Sequence, residues 1–140
     1  MKYFYKIILA FPMLLAISCS AQIMGTLKEA KKLKENETKF IGKPLKKLLK
    51  EIKPEIRMAS AQSNRPDHQP SVMFFKFVDD KEYYKNENKG SFTTIIVYIK
   101  ENFDWDSLRN TKIQKYTWTK EDEKIFGNLT IIGIGVLGDK

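Results

Sequence analysis

The spacing of apolar and polar residues predicts two helices in the first third of the chain. Four apolar residues recur at i, i+3, i+4 and i+7, which is the spacing of one helical face: Leu45, Leu48, Leu49 and Ile52. Pro44 suits the first turn of this helix, and Pro54 marks its end because the residue before a proline avoids the helical region. An earlier helix is predicted over about residues 26–35, where Thr26 and Glu29 have the spacing of a capping box.

Beyond Pro54 the pattern changes to short apolar and alternating runs that are typical of strands. The predicted strands cover residues 56–61, 71–78, 91–100, 112–119 and 129–137. Gly133 and Gly135 share one face of the last strand, which indicates a helix or ring packed close over that face, or a bulge. Because helices precede strands, we expect an α+β fold with two N-terminal helices packed on one face of a four- or five-stranded antiparallel sheet, forming a single domain over residues 26–140.

The first 18 residues have the three-part layout of a secretory signal. Lys2 and Lys6 supply the positive start, and the uninterrupted apolar run 7–17 follows them. This run is too short to cross a bilayer, which takes about 20 apolar residues. No second apolar run in the sequence is long enough to do so. The N-terminus therefore reads as a removable export signal.

Two cleavage sites compete at the end of this signal. The residues before Cys19 resemble a bacterial lipobox, in which the cysteine is lipidated and becomes the new N-terminus, although Ala16 stands where such motifs usually carry leucine. Ordinary cleavage after Ala21, leaving Gln22 first, is the alternative. We favour lipidation, because the chain has a single cysteine and an unpaired thiol has little use in an exported protein. Residues 19–25 would then form a short tether to the bacterial cell envelope, at the outer membrane or on the periplasmic side. The alternative places the protein in the periplasm or outside the cell.

The predicted order of elements is similar to that of small outer-membrane assembly lipoproteins, which also run helix, helix and then antiparallel sheet. This resemblance rests on the order alone, so no residue is carried over from it. An order of elements does not imply a function.

The composition excludes several kinds of catalytic and metal-binding site. One Cys excludes an intramolecular disulfide and any multi-cysteine metal site, and one His excludes a site that needs two imidazoles. The 140 residues carry a formal net charge of +8, and its distribution is uneven. Residues 28–57 hold ten Lys, one Arg and five Glu, a net of +6, whereas the twelve basic and twelve acidic residues of 58–140 cancel. We expect no cofactor and no metal, but an acidic partner near the basic segment.

The second predicted helix concentrates this charge. Its lysines occupy an arc separate from the leucine stripe, and they are named here the basic face: Lys43, Lys46, Lys47, Lys50 and Lys53. We expect this face to bind anionic lipid headgroups or an acidic protein, or else to be an ordinary solvated helix surface. A nucleic-acid partner is not expected, because aromatic residues are not interleaved with the basic segment and the signal exports the protein.

Four aromatic residues fall in predicted loops: Tyr83, Tyr84, Phe103 and Trp105. Exposed loop aromatics are enriched at protein interfaces, so these residues are candidates for a partner interface. The alternative is that they cover the core or the edge of the sheet. Sequence alone leaves both open.

The remaining candidate chemistry is weaker. His68 could act as a general base or bind a metal together with Asp67, but a loop histidine without a second imidazole or thiol is more typical of a solvated side chain. Acidic residues cluster at 79–82 and at 121–123, where neighbouring lysines favour salt-bridged loops over a pair of catalytic carboxylates.

Three hypotheses follow. The first is a non-enzymatic envelope lipoprotein whose small domain binds a protein partner or an anionic envelope surface. The second is a soluble exported inhibitor or immunity-type binding protein. The third is a carboxylate-dependent hydrolase of envelope polymers. The oligomeric state is not readable from the sequence.

Overall fold

The computed structural model describes residues 21–63, 71–86, 92–109 and 115–138. The predicted signal, the proposed lipidation site Cys19 and the candidate His68 lie outside these residues.

The described residues form an α+β fold around one four-stranded antiparallel sheet, which confirms the predicted class. Its strands are β1 (Met58–Gln62), β2 (Ser71–Lys76), β3 (Thr94–Ile99) and β4 (Ile131–Leu137), and they lie side by side in chain order. Each strand pairs antiparallel with the next, which fits the tendency of strands that follow one another in sequence to be neighbours in a sheet.

Of the strand predicted over 112–119, residues 112–114 lie outside the described residues, and the described residues 115–119 form no strand of the sheet. Only one isolated bridge forms there, between Thr117 and Met58. The backbone N–H of Ala59 donates to the Tyr116 carbonyl at 2.8 Å, and the N–H of Trp118 donates to the Arg57 carbonyl at 3.0 Å. This short contact covers part of the outer edge of β1, where unpaired backbone groups would otherwise be exposed.

The helices are shorter and more numerous than the periodicity predicts. They are α1 (Lys31–Glu35), α2 (Leu45–Leu49), α3 (Asp80–Asn86), α4 (Trp105–Leu108) and α5 (Lys120–Phe126). The capping box predicted at Thr26 begins a 3-10 turn (Leu27–Glu29) rather than α1 itself, and the Thr26 N–H donates to the Glu29 carboxylate at 3.0 Å. The segments of α3 and α5 were expected to be loops. At α5, Thr119 and Asp122 form a capping box that starts the helix.

One core contains the buried side chains of both helices and strands. Leu33 of α1, Leu45 and Leu48 of α2 and Phe126 of α5 are almost fully buried in it. Alternate strand residues complete the same core: Ala59, Met73, Phe75, Ile95, Val97, Ile99 and Ile134. The alternation fits a sheet that faces the core on one side only.

The two glycines of β4 lie on the face of the sheet opposite this core. Gly133 is paired with Tyr98, and a Cβ atom at Gly133 would lie 3.1 Å from the Tyr98 ring. The register shifts between Tyr98 and Ile99, so that Ile132 is an extra residue in β4. Both explanations offered for the glycines, a closely packed ring and a bulge, are therefore confirmed at Gly133.

Candidate functional site

The N-terminal end of the described chain is held by hydrogen bonds to the residues at and just after the end of α2. Met24 is fully buried, its N–H donates to the Glu51 carbonyl at 2.9 Å, and its carbonyl accepts from the Lys53 N–H at 2.8 Å. The Gln22 side-chain amide donates to the Lys50 carbonyl at 2.9 Å. Residues 19–25 were predicted to form a short tether, and two of the described residues in this range, Gln22 and Met24, are hydrogen-bonded to the end of α2.

The rotation of α2 about its axis is fixed by both burial and hydrogen bonds. Leu45 and Leu48 are fully buried, and Leu49 is nearly so. Pro44 offers no side-chain cap, and the first amides of the helix instead donate to the turn after α5, Leu45 N–H to the Leu129 carbonyl and Lys46 N–H to the Gly127 carbonyl, both at 2.8 Å. The leucine stripe therefore faces the core, and the basic face points away from it.

The structure exposes all five lysines of the basic face. The Lys46 ammonium donates to the side-chain carbonyl of Asn128 at 2.9 Å. Within the described part of the chain, the other four lysines have no carboxylate within 4.0 Å of their nitrogen. The basic face is thus a positive surface that the described residues do not neutralise.

Further lysines, not singled out by the sequence, extend this surface on both sides of α2. On one side Lys39 joins Lys43 and Lys47 around a cavity of about 390 Å³, which Ile23, Phe40 and one acidic residue, Glu51, also line. On the other side, Lys46 and Lys50 face α5 across a cavity of about 480 Å³.

The α5 side of that second cavity is lined by Lys120, Glu123 and Lys124. Lys124 also pairs with Glu121 at 3.4 Å, at a highly exposed position where such a pair contributes little. Sequence reasoning missed these lysines because only the fold brings α5 beside α2.

The aromatic candidates separate into two groups. Phe103 and Trp105 are 9% and 6% exposed, and both contact the Phe126 ring, with Trp105 stacked on it at 4.8 Å between centroids. Of the two alternatives left open by the sequence, these two residues follow the second and cover the core, where an aromatic cluster takes both rings out of water. Tyr83 and Tyr84 lie on α3 instead of a loop, and Tyr84 is 57% exposed.

One residue of the acidic cluster at 121–123, Asp122, has a structural role. Asp122 is buried and forms an ion pair with Arg109 at 2.9 Å, and its carboxylate also accepts from the N–H and hydroxyl of Thr119. Burial alone would raise the pKa of Asp122, but the hydrogen bonds from Arg109 and Thr119 outweigh it and lower the pKa below its ordinary value. The cluster at 79–82 belongs to the start of α3, where Asp79 pairs with Arg57 at 3.3 Å in an exposed position.

The described residues contain no group of three or more His, Cys, Asp or Glu side chains placed to hold a metal ion. Among the same residues no helix has the length and apolar character needed to cross a membrane. No family model matches the chain, and neither a curated protein nor a solved structure is significantly similar to it.

Proposed function

We propose that the protein is a bacterial envelope lipoprotein, anchored through Cys19, whose domain binds an anionic membrane surface through the basic face and performs no chemistry. The observation that carries the proposal is the position of Gln22. Its side-chain amide donates to the main-chain carbonyl of Lys50, so Gln22, three residues after Cys19 in the sequence, lies beside the basic face.

The short separation strengthens the electrostatic argument. Three residue steps from Cys19 to Gln22 span at most about 10 Å when fully extended. The electrostatic screening length at physiological salt is about 8 Å, so an anchor at Cys19 would hold nearby lysines within the field of anionic headgroups. Each such lysine contributes about 1 kcal/mol to binding.

We infer further that α1 and α2 lie together on one face of the sheet. The shared core of Leu33, Leu45 and Leu48 supports this arrangement, as does the bond from the Ile134 N–H of β4 to the Glu37 carboxylate at 2.8 Å. In this arrangement the sheet and both helices form a rigid support for the basic face.

Vesicle binding by the chain from Ala21 onward, which lacks the anchor, tests the electrostatic part of the proposal. We expect binding to vesicles that contain phosphatidylglycerol, weaker binding at high salt, and none to phosphatidylcholine alone. Replacing Lys43, Lys46, Lys47 and Lys50 by Gln removes about 4 kcal/mol, which corresponds to a loss of roughly 700-fold in affinity.

The control variant removes four exposed lysines elsewhere, and so has the same net charge: Lys81, Lys85, Lys100 and Lys115. It should retain most of the binding. Equal loss in the two variants, or binding that is unaffected by salt, would refute a specific role for the basic face.

The alternative proposal is a soluble exported inhibitor or immunity-type binding protein, cleaved after Ala21. The exposure of Tyr84 supports it, since large exposed aromatics are common at interfaces. A native N-terminus at Gln22 without an acyl group, together with a protein partner lost on Tyr84→Ala, would favour this alternative.

A further inference from the structure

A second concave site lies on the face of the sheet opposite the core. It is a cavity of about 300 Å³, within the range of small-ligand sites, and its lining consists of Met58, Ser60, Lys76, Tyr83, Tyr84 and Tyr116. None of these residues belongs to the basic face, so the site is independent of the proposed membrane contact.

The fold brings these residues together from three places. Met58 and Lys76 are paired across β1 and β2, and Ser60 follows Met58 on the same face by strand alternation. α3 follows β2 closely and supplies Tyr83 and Tyr84. Tyr116 lies in the segment beside β1, where its main-chain carbonyl accepts a hydrogen bond from the Ala59 N–H.

Lys76 is the charged group of this cavity. It is partly buried, and its ammonium lies 5.4 Å from the centroid of the Tyr83 ring. No carboxylate of the described residues lies within 4.0 Å of it. Burial lowers the pKa of Lys76, which means that its surroundings disfavour the charge. A bound anion would supply the missing countercharge.

The tyrosines give the cavity an aromatic wall that also carries hydroxyl groups. The Tyr83 ring packs edge-on to Tyr84 and tilted against Phe92, each with centroids 5.5 Å apart, so its position is fixed before any ligand binds. Tyr84 forms the exposed rim. Tyrosine combines an apolar ring with a polar hydroxyl, which suits a ligand with both C–H faces and hydroxyl groups.

We propose that this cavity binds an acidic saccharide, a pyranose ring that carries a carboxylate. The Tyr84 and Tyr116 rings contact the C–H faces of the sugar, the hydroxyls of Ser60 and the tyrosines bond to those of the sugar, and Lys76 pairs with the carboxylate. A neutral sugar lacks the last contact, and a small carboxylate lacks the others.

Titration of the purified full chain with glucuronate, glucose and acetate, followed by NMR or calorimetry, tests this proposal. Glucuronate should bind at least about tenfold more tightly than glucose, since a hydrogen bond to a charged group contributes that much, and more tightly than acetate, which lacks the contacts of the ring and its hydroxyl groups. Glucose or acetate binding as tightly as glucuronate, or no binding of glucuronate, would overturn the proposal.

Variants locate the site. Lys76→Met should abolish the preference for glucuronate over glucose, and Tyr84→Ala, at a position that is 57% exposed, should weaken binding of both sugars. Lys81→Met is the matched control, because this exposed lysine lies on α3 but does not line the cavity. Unchanged glucuronate binding in Lys76→Met or Tyr84→Ala, or an equal loss in Lys81→Met, contradicts the assignment.

Discussion

Replacing Asp122 by alanine should destabilise the domain more than any exposed acidic substitution nearby. The Asp122 and Arg109 side chains are each only 7% exposed. The Arg109 guanidinium donates to Asp122 and to the carbonyls of Lys115 and Thr117, and it lies 4.4 Å from the centroid of the Trp105 ring. Without Asp122 this buried cation has no carboxylate to balance it.

The expected magnitude follows from that burial. Removing one partner of a buried ion pair costs about 3–5 kcal/mol, because the other charge stays buried without compensation. For a domain of this size that corresponds to a fall in Tm of roughly 10–20 °C. The adjacent Glu121→Ala is the matched control, because its pair with Lys124 is highly exposed and should contribute less than about 1 kcal/mol.

Chemical denaturation of the wild type and both variants measures these differences, with thermal unfolding as a second readout. Adding Arg109→Met to each protein completes a double-mutant cycle, and the coupling energy between Arg109 and Asp122 should be large and favourable. If Asp122→Ala were no less stable than Glu121→Ala, the structural role of the ion pair between Asp122 and Arg109 would be refuted.

Three further predictions concern stability. The folded pKa of Asp122 is below its ordinary value of 3.8, so the ionised carboxylate contributes fully to the free energy of unfolding above pH 3.8, and this contribution is lost as the pH falls through the folded pKa. The stability difference between wild type and Asp122→Asn should therefore shrink in acid. A difference that stays constant down to pH about 2 would contradict this. Glu37→Ala should cost about 1–2 kcal/mol in urea unfolding, because the Ile134 N–H loses its acceptor, and no measurable change would exclude that role. Gly138→Ala should lower Tm, because Gly138 has a φ of 74° and a Cβ there would lie 2.2 Å from the Phe92 carbonyl oxygen; an unchanged Tm would show that this close approach is absent.

The sequence predicted those parts of the fold that depend on local pattern. The leucine spacing identified α2 and its buried face, and the runs of β-branched and aromatic residues identified β2, β3 and β4, whereas β1 was predicted only as the short run 56–61. The segments of α3 and α5 are short and mostly polar, so their apolar periodicity is too weak to distinguish a helix from a loop.

Features that depend on tertiary contacts could not be predicted in this way. Nothing local distinguishes Trp105, which stacks on Phe126 in the core, from Tyr84, which is exposed. The hydrogen bond from Gln22 to Lys50 at the end of α2 joins residues that are distant in sequence. The position of α5 beside the basic face also depends on contacts between residues distant in sequence. As a single lysine in a predicted strand, Lys76 carries no local signal of a binding site, and only the tyrosines around it make it a candidate for ligand binding.

The membrane proposal depends most directly on cleavage before Cys19 and acylation of its thiol. Intact mass spectrometry of the native protein, isolated from its own cells, measures both at once. The account predicts a chain of residues 19–140 with the added mass of a lipid anchor. A mass that corresponds to residues 22–140 without lipid, or to the full chain with a free thiol, would contradict it.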